Sequence, residues 1–287
     1  MSPRESASGY LEDLNPEQRE AVEHMGGPLL VVAGAGSGKT RVLTYRIAHL
    51  MRRHGVSPWG ILALTFTNKA ATEMKERVER LVGAGARDMM VGTFHSSCAR
   101  ILRREIEPLG YSARFSIYDE SDSLRLLAQC LDELGLDRKS YHPKALRGVI
   151  SSAKNEMVDE ESFAGRVEGD FFMEVASRVY RRYQERLRAN DALDFDDLLC
   201  HMVTLLELYP ATLERYREKF RHVLVDEYQD TNAVQYRMVR LLAGERGNLC
   251  VVGDDDQGIY SWRGADMRNI LEFEKDYPEA RVVKLEQ

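Results

Sequence analysis

The apolar residues of this chain form short runs that are separated by longer amphipathic segments. The runs lie at Leu29–Ala33, Ile61–Phe66, Met89–Gly92, Val223–Asp226, Leu249–Gly253 and Val282–Leu285. A short, nearly continuous apolar run is typical of a strand that is buried on both faces, and most of these runs are followed by helical periodicity. The pattern predicts an α/β fold, in which a parallel sheet is flanked by helices.

The alternation of strands and helices is interrupted between Gly92 and Val223. The one strand candidate in this part is the weak run Phe115–Tyr118, whereas Ser123–Leu134 and Phe172–Leu187 show helical periodicity. We therefore expect an all-helical subdomain that is inserted into the α/β domain.

We expect the insert to occupy residues 113–194, so that residues 1–112 and 195–287 form the α/β domain. The run Leu193–Leu199 begins another helix leading back toward the sheet, and its Asp194 has the residue type that favours a helix N-cap.

Composition limits the class of protein. The chain has 287 residues, of which 44% are hydrophobic, so it can bury a sizeable core and is long enough for two domains. It contains no apolar run long enough to span a membrane, and Met1–Ser6 lacks the apolar core of a signal peptide. We expect a cytoplasmic protein without a membrane partner.

The cysteines and the charges add two further limits. Cys98, Cys130, Cys200 and Cys250 are scattered, which favours reduced, packed thiols over zinc ligands or disulfides. The net charge of −6 argues against coating of nucleic acid through bulk charge but leaves room for a local DNA track. Basic clusters such as Arg178–Arg188 are most often solvated helix faces.

The first candidate for chemistry is the glycine-rich turn after Leu29–Ala33. Gly34, Gly36 and Gly38 allow the backbone N–H groups to point inward, and the helix that follows adds its positive end. Lys39 can reach the β and γ phosphates of a nucleotide, and the Thr40 hydroxyl can bind Mg²⁺. The turn predicts a site that binds and splits ATP or GTP, the alternative being a structural turn with a surface lysine.

A second strand supplies the expected partner of this turn. Val223–Asp226 is followed by Glu227, so two carboxylates stand at the end of a buried strand. If that strand lies beside the strand of the phosphate-binding turn, Asp226 can hold Mg²⁺ and Glu227 can orient or deprotonate the attacking water. Taken alone, the pair is equally compatible with a surface turn.

A third strand, Leu249–Gly253, leads to a polar and aromatic segment. Gln257 can sense the γ phosphate, whereas the aspartates before it are interpreted as a turn cap. Tyr260 and Trp262 stand two residues apart beside Arg263. Aromatic side chains in this arrangement either pack in a core or stack on the bases of a single strand without reading its sequence.

Together these residues resemble the superfamily 1 DNA helicases of the UvrD/PcrA/Rep type, over essentially the whole chain. The resemblance implies a RecA-like P-loop domain (1A) and an inserted helical subdomain (1B). Leu14–Gln18 is similar to the Q motif, which implies that Gln18 reads adenine and favours ATP. The residues that it implies for binding of the nucleotide are Gln18, Ala33, Gly34, Ala35, Gly36, Ser37, Gly38, Lys39, Thr40, Arg41 and Arg263.

The same resemblance assigns residues to single-stranded DNA. Thr65–Ala71 is similar to motif Ia, Gly92–Ser96 to motif Ib and Leu193–Leu199 to the LDFDDLL segment. The residues that it implies for DNA contact are Phe66, Asn68, Thr93, Phe94, His95, Phe195, Tyr260 and Trp262. Gly258 departs from the serine that is common at this place in motif III, which could loosen the loop.

The resemblance also bears on activity. Asp226–Asp230 and Gly253–Ala265 are similar to motifs II and III, and the chain ends just before motif IV. The full gene product is then expected to be an ATP-dependent 3′-to-5′ helicase acting on single strands and single-strand/duplex junctions in DNA repair. A second RecA-like domain is required for that activity, so we expect the 287-residue polypeptide alone to bind ATP and DNA weakly and to have little turnover.

Two alternatives remain. One is a module that binds ATP and single-stranded DNA without turnover, and the other is part of a RecB/AddA-type helicase–nuclease. The preference for DNA over RNA rests on the resemblance alone, since stacking platforms accept either strand.

Overall fold

The computed structural model describes residues 9–34, 36–167, 169–244, 247–254 and 273–285. The chain forms two compact units. The first, called the sheet unit, comprises Met1–Ser97, Tyr209–Thr231 and Gln235–Gln287, and the second, called the helical unit, comprises Cys98–Leu208 and Asn232–Val234. The helical unit includes all of segment 113–194. The domain boundaries expected from the sequence, between 112 and 113 and between 194 and 195, stay a prediction.

The described residues form eight strands. In chain order they are β1 Leu29–Ala33, β2 Ile61–Thr65, β3 Met90–Thr93, β4 Ser116–Tyr118, β5 Ala192–Asp194, β6 His222–Val225, β7 Leu249–Gly253 and β8 Arg281–Leu285. The six apolar runs identified in the sequence all form strands, so these predictions are confirmed to within one or two residues at each end.

The principal helices fill most of the intervening chain. They are α1 Pro16–Glu23, α2 Lys39–His54, α3 Asn68–Val82, α4 Phe94–Glu105, α5 Glu120–Glu133, α6 Pro143–Asn155, α7 Glu160–Ala164, α8 Phe171–Ala189, α9 Phe195–Leu208, α10 Pro210–Lys219 and α11 Ala233–Ala243. The two helical stretches predicted in the insert correspond to α5 and α8. Within the described residues, no helix is long and apolar enough to cross a membrane.

The sheet unit is built on one six-stranded sheet. Its strand order is β3–β2–β6–β7–β1–β8, and every pair is parallel. The α/β fold with a parallel sheet is confirmed. The condition stated for Asp226, that its strand lies beside β1, is not met, because β7 lies between β6 and β1. Apolar periodicity identifies strands but contains no information on which strands pair.

The core of the sheet unit lies on both faces of this sheet. Leu29, Val31 and Ala63 are fully buried on one face, in a cluster with residues of α2 and α3. Leu30 and Leu62, which alternate with them, are at most 2% exposed on the other face. Side chains that alternate between the two faces are all apolar because helices cover both faces of a parallel sheet. The strands are therefore held in place, and their polar carboxyl ends define one edge of the unit.

The helical unit has a core of its own. Leu127, Val179 and Tyr183 pack in a cluster that joins α5, α6 and α8. The unit also contains a two-stranded parallel sheet of β4 and β5. The expectation of an all-helical insert is therefore wrong at these two strands. The weak candidate at Phe115–Tyr118 is real, whereas β5 is too short to show a period of its own.

Candidate functional site

The turn after β1 has the backbone that a phosphate-binding loop needs. Gly36 and Gly38 have φ angles of 82° and 94°, in a region that glycine adopts without steric cost. The hydroxyl and the backbone N–H of Ser37 donate to the carbonyl oxygen of Gly34, at 2.7 and 3.3 Å. Helix α2 begins at Lys39, so the N–H groups of its first turn favour an anion at this turn.

The side chain of Lys39 connects the ends of three strands. Its Nζ lies 3.3 Å from Oε2 of Glu227, which follows β6, and 3.2 Å from Oδ2 of Asp254, which follows β7. Neighbouring strands are about 4.8 Å apart, and the flexible four-carbon stem of lysine spans this separation. The structure thus brings together Lys39 and Glu227, the residues expected to act on the nucleotide phosphates and on the attacking water. They follow β1 and β6, which are separated by β7.

The backbone at Glu227 has an uncommon conformation. Glu227 has φ 50° and ψ 49°, and its N–H donates to Oδ1 of Asp226 at 3.1 Å. A left-handed backbone costs a residue with a side chain about 1–2 kcal/mol and is found preferentially at functional sites. This turn directs Glu227 to a place where its side chain is 40% exposed, while Asp226 stays buried.

Asp226 has a carboxyl group with an unusual pKa. The residue is 4% exposed, and this burial, followed by the nearby charge of Glu227, raises the pKa of Asp226 to about 7. A cation that binds next to such a carboxylate restores its negative charge by lowering its pKa. Asp226 is therefore suited to bind a cation, which would stabilise the ionised form of its carboxylate.

Gln229 links the two carboxylate-bearing turns. Its Nε2 donates to Oε2 of Glu227 at 2.9 Å, and its Oε1 accepts the backbone N–H of Asp254 at 3.0 Å. Gln229 is 2% exposed. One buried amide thus fixes the separation between the ends of β6 and β7. In the sequence this residue belongs to motif II but has no assigned role. Its two partners, Glu227 and Asp254, follow different strands, so these contacts cannot be recognised from the sequence alone.

Asp254 is part of the site rather than a turn cap. Its side chain is fully buried and paired with Lys39. The interpretation as a simple cap is therefore wrong for this residue. The signal that could have identified it is its place directly after a buried strand, at the edge where the carboxyl ends of parallel strands meet.

Gln18 lies against the phosphate-binding turn. It forms a capping box with Asn15 at the start of α1, and its Nε2 donates to the carbonyl oxygen of Ser37 at 2.9 Å. A Cβ added to Gly38 would stand 2.7 Å from Nε2 of Gln18. The short approach between Gln18 and Gly38 explains why a glycine suits this position.

The other end of α1 is held by a residue that the sequence pattern did not single out for a role. Nη1 of Arg46 on α2 donates to the carbonyl oxygens of Ala21 and His24, at 2.9 and 2.6 Å. Carbonyls at the end of a helix lack partners within the helix, so Arg46 caps α1 and ties it to α2. Helix α1 is therefore attached to the phosphate-binding turn and to α2.

The remaining predicted nucleotide contacts are distributed around this turn. Ala33 ends β1 and is buried, Thr40 is half-buried in the first turn of α2, and Arg41 is exposed with its guanidinium 5.4 Å from the ring centroid of Tyr45. Ala35 lies outside the described residues. So do the predicted residues that follow Asp254, namely Gln257, Tyr260, Trp262 and Arg263.

Two of the predicted DNA residues in the sheet unit form a ring pair. Phe66, after β2, is half-buried, and its ring centroid lies 5.5 Å from that of Phe94. Phe94 is 1% exposed. Phe66 therefore has surface available for a ligand, whereas Phe94 supports it from the core.

The other three residues stand at the same ends of β2 and β3. Asn68 begins α3 and is exposed, and His95, in the first turn of α4, is half-buried. The hydroxyl oxygen of Thr93 accepts the N–H of Ser96 at 3.1 Å, which holds the start of α4. These residues follow parallel strands and so lie at the carboxyl edge of the sheet.

Phe195 is the one described candidate for DNA contact that lies in the helical unit. It is the first residue of α9 and is 47% exposed. Oδ1 of Asp194 accepts the N–H of Asp197 at 2.8 Å, which confirms the predicted N-cap. The cap places Phe195 at the surface of its unit.

One family model and several curated proteins are similar to this chain. A family model described as UvrD/REP helicase N-terminal domain matches residues 14–278. The ATP-dependent DNA helicase PcrA of Bacillus subtilis is 55% identical over 277 residues, which cover 96% of this chain. The ATP-dependent DNA helicase UvrD1 of Mycobacterium tuberculosis (strain H37Rv) is 54% identical over 291 residues, which cover 98%. The matched regions amount to 37–38% of the length of these two relatives.

Proposed function

The chain belongs to the UvrD/REP helicase N-terminal domain family, and from this premise we propose that it is the ATP-binding motor domain of an ATP-dependent DNA helicase. The observation that carries the proposal is the meeting of Lys39 with Glu227 and Asp254 beside the phosphate-binding turn. A lysine, a strand-end carboxylate and a helix N-terminus at one edge of a parallel sheet are the groups that phosphoryl transfer needs.

In this proposal the nucleotide phosphates replace the carboxylates as partners of Lys39. The N–H groups of the turn and of α2 bind the phosphate oxygens, and Lys39 moves to the β and γ phosphates. Glu227, released from the ammonium, accepts the proton of the water that attacks the γ phosphorus, and the bond from that phosphorus to the bridging oxygen of ADP breaks. Gln229 holds Glu227 in place during this step.

Thr40 and Asp226 are the residues that would hold Mg²⁺. A hydroxyl and one carboxylate are oxygen ligands of the kind that Mg²⁺ takes beside nucleotide phosphates. The raised pKa of Asp226 is consistent with a carboxylate whose ionised form is stabilised by a bound cation. Bound Mg²⁺ would neutralise charge that develops on the phosphate oxygens.

Gln18 would select the base of the nucleotide. Its amide offers one donor and one acceptor, the pair that the adenine edge requires. In the structure it already contacts the phosphate-binding turn through Ser37, so base recognition and phosphate binding would be coupled through α1.

Single-stranded DNA would bind to the aromatic and polar residues described above, of which Asn68 and Phe195 are exposed. Phe66 and Phe195 offer rings for base stacking, and Asn68, Thr93 and His95 offer polar groups for the backbone, with Phe94 supporting Phe66. Tyr260 and Trp262 belong to the same proposal from the sequence. Stacking of a base on an aromatic ring contributes about 1–3 kcal/mol.

The activity of the whole protein is proposed on the same basis. It would be a cytoplasmic 3′-to-5′ translocase that unwinds duplex DNA at single-strand junctions during repair, with a second RecA-like domain completing the ATP site. Alternating grip by two domains converts ATP turnover into movement along a strand.

Nucleotide binding tests the proposal directly. Binding of a fluorescent ATP analogue with Mg²⁺ to the 287-residue chain should weaken at least tenfold in Lys39→Ala, since an ammonium facing phosphates contributes on the order of 1.5–3 kcal/mol. Lys275→Ala removes an exposed lysine of the same unit and should bind as the wild type does. Equal affinity in wild type and Lys39→Ala would refute the ATP site.

Turnover separates the enzyme from the binding module. Phosphate release that is stimulated by single-stranded DNA and lost in Lys39→Ala supports the motor. ATP and DNA binding with no Lys39-dependent release in this polypeptide supports binding without turnover, and the same assay with a second motor domain added in trans then tests whether catalysis is restored.

A further inference from the structure

The helical unit buries a lysine beneath the turn that carries Phe195. Lys154, on α6, is 2% exposed. Its Nζ lies 2.7 Å from Oδ2 of Asp194 and 2.7 Å from Oδ1 of Asp197. Lys154 therefore contacts both residues that flank the start of α9.

The two aspartates already bind each other's backbone. Oδ1 of Asp194 accepts the N–H of Asp197 at 2.8 Å, and Oδ2 of Asp197 accepts the N–H of Asp194 at 3.2 Å. This reciprocal pair is a capping box. Each carboxylate thus uses one oxygen on the backbone and presents the other to Lys154.

Helix α8 completes the surroundings of this cluster. The hydroxyl of Tyr183 donates to Oδ2 of Asp194 at 3.1 Å, and Nε2 of Gln184 donates to Oδ1 of Asp197 at 3.3 Å. The ring centroids of Tyr180 and Tyr183 lie 5.9 and 5.2 Å from Nζ of Lys154. The start of α9 is therefore bound to α6 and α8 by buried polar contacts.

Stability alone does not explain why Lys154, Asp194 and Asp197 are buried together. Desolvation of charges offsets most of what their attraction contributes, and an apolar cluster of similar volume often stabilises a fold equally well. What a buried, hydrogen-bonded polar cluster adds is a single geometry, because each group accepts few arrangements. The residue whose geometry is set here is the one between the aspartates that points outward, Phe195.

We propose that Lys154 is a positioning residue for single-stranded DNA: it holds the turn from Asp194 to Asp197 so that the exposed ring of Phe195 is presented for base stacking. The proposal rests on the proposed function, in which Phe195 contacts DNA. Lys154 itself is enclosed by protein and acts only through this turn.

A double-mutant cycle on DNA affinity tests the proposal. Affinity of the 287-residue chain for a fluorescein-labelled oligothymidylate is measured by anisotropy for the wild type, Lys154→Met, Phe195→Ala and the double variant. Phe195→Ala should weaken binding about tenfold, as expected for one lost stacking contact. Lys154→Met should weaken binding at least threefold when Phe195 is present and should have no further effect in Phe195→Ala.

A matched control removes the same charge from the same helix. Lys144 lies on α6 and is exposed, so Lys144→Met reports the loss of nonspecific attraction to DNA. Its effect should be the same with and without Phe195. Binding of the ATP analogue, which uses the sheet unit, should be unchanged in Lys154→Met, and an unchanged far-UV circular dichroism spectrum verifies that the helical unit is folded.

The outcomes distinguish the two proposals. If Phe195→Ala leaves DNA affinity unchanged, the DNA contact of Phe195 and the role of Lys154 both fail. If Phe195→Ala weakens binding but Lys154→Met weakens it equally in both backgrounds, Lys154 is structural only and the positioning role is refuted. Should Lys154→Met not fold, Lys154→Gln, which keeps hydrogen-bond donors without the charge, is carried through the same cycle, and additive effects there refute the role equally.

Discussion

The ammonium of Lys39 lies 3.2 Å from the carboxylate of Asp254, and this carboxylate has no exposure to solvent. In the structure the lysine thus compensates a charge that the fold has buried. Because the same ammonium is the proposed phosphate ligand, nucleotide binding has to exchange one anionic partner for another. Lys39 therefore contributes to stability as well as to the proposed chemistry.

Replacing Lys39 should destabilise the protein without nucleotide. Lys39→Met leaves Asp254 buried without its cation, which should lower the free energy of unfolding by about 3–5 kcal/mol. In Lys39→Met/Asp254→Asn both charges are absent, so the loss should be smaller than the sum of the single losses by at least about 1 kcal/mol. Urea denaturation of the four proteins measures this coupling, and additive losses would show that the pair contributes nothing.

Gln229 should matter for stability and for catalysis, but not for nucleotide affinity. Gln229→Leu leaves the buried N–H of Asp254 without its acceptor, which costs about 1–3 kcal/mol. The same change frees Glu227, so DNA-stimulated phosphate release, where it is measurable, should fall while the dissociation constant of the ATP analogue stays within about twofold. Weaker nucleotide binding with normal stability would contradict the bridging role.

Three glycines of the phosphate-binding turn should differ in a graded way. Gly34 has open space where a Cβ would stand, Gly36 has open space but a φ of +82°, and Gly38 combines a φ of +94° with a Cβ position 2.7 Å from Nε2 of Gln18. Alanine should therefore change stability by less than about 0.5 kcal/mol at Gly34 and destabilise by about 1 kcal/mol at Gly36. The loss should be largest at Gly38.

Thermal unfolding of the three alanine variants, without nucleotide, measures this order. Gly34→Ala serves as the control for stability, since it adds a methyl group with neither backbone strain nor a clash. A loss at Gly38 that does not exceed the loss at Gly36 would mean that the approach of Gln18 to the turn is not present in solution.

Asp226 should make stability fall as the pH rises. The pKa of Asp226 is about 7 in the folded protein, against 3.8 for an ordinary aspartate. Between these values the folded state holds more protons than the unfolded state, so the free energy of unfolding contributed by Asp226 decreases from about pH 4 to about pH 7 and is level above. Asp226→Asn removes this contribution and should be stabilising near pH 8.

The same titration should appear in nucleotide binding. Binding of Mg²⁺ requires the ionised carboxylate, so affinity for the magnesium complex of the ATP analogue should rise between pH 6 and pH 8 more steeply in the wild type than in Asp226→Asn. Asp88→Asn changes an exposed aspartate of the same unit and should retain the wild-type dependence. Identical pH profiles for the wild type and Asp226→Asn would contradict the proposed metal ligand.

Local patterns were sufficient for the elements and for many of the candidate residues. The six apolar runs became the strands of one parallel sheet, and the strand followed by Gly34, Gly36 and Gly38 became β1 with its turn. Asp194 was identified as an N-cap for the same reason. Each of these depends on residues that are close together in the chain, since strand burial, left-handed turns and caps are properties of a few neighbouring residues.

Contacts between distant residues did not follow from those patterns. The placement of β7 between β6 and β1 was not predicted, and Asp254, interpreted from the sequence as a turn cap, is the buried partner of Lys39. No role was predicted for Gln229 or Lys154. In the structure Gln229 links the turns after β6 and β7, and Lys154 links α6 to the start of α9.

The order of amino acids was therefore enough to specify the set of strands and helices and the chemistry available at the end of each strand. Which of these ends meet was settled only by tertiary packing. The physical reason is that a helix or a strand is stabilised by nearby residues, whereas an ion pair such as Lys39–Asp254 or Lys154–Asp194 exists only after chain segments far apart in sequence have packed and excluded water from between them.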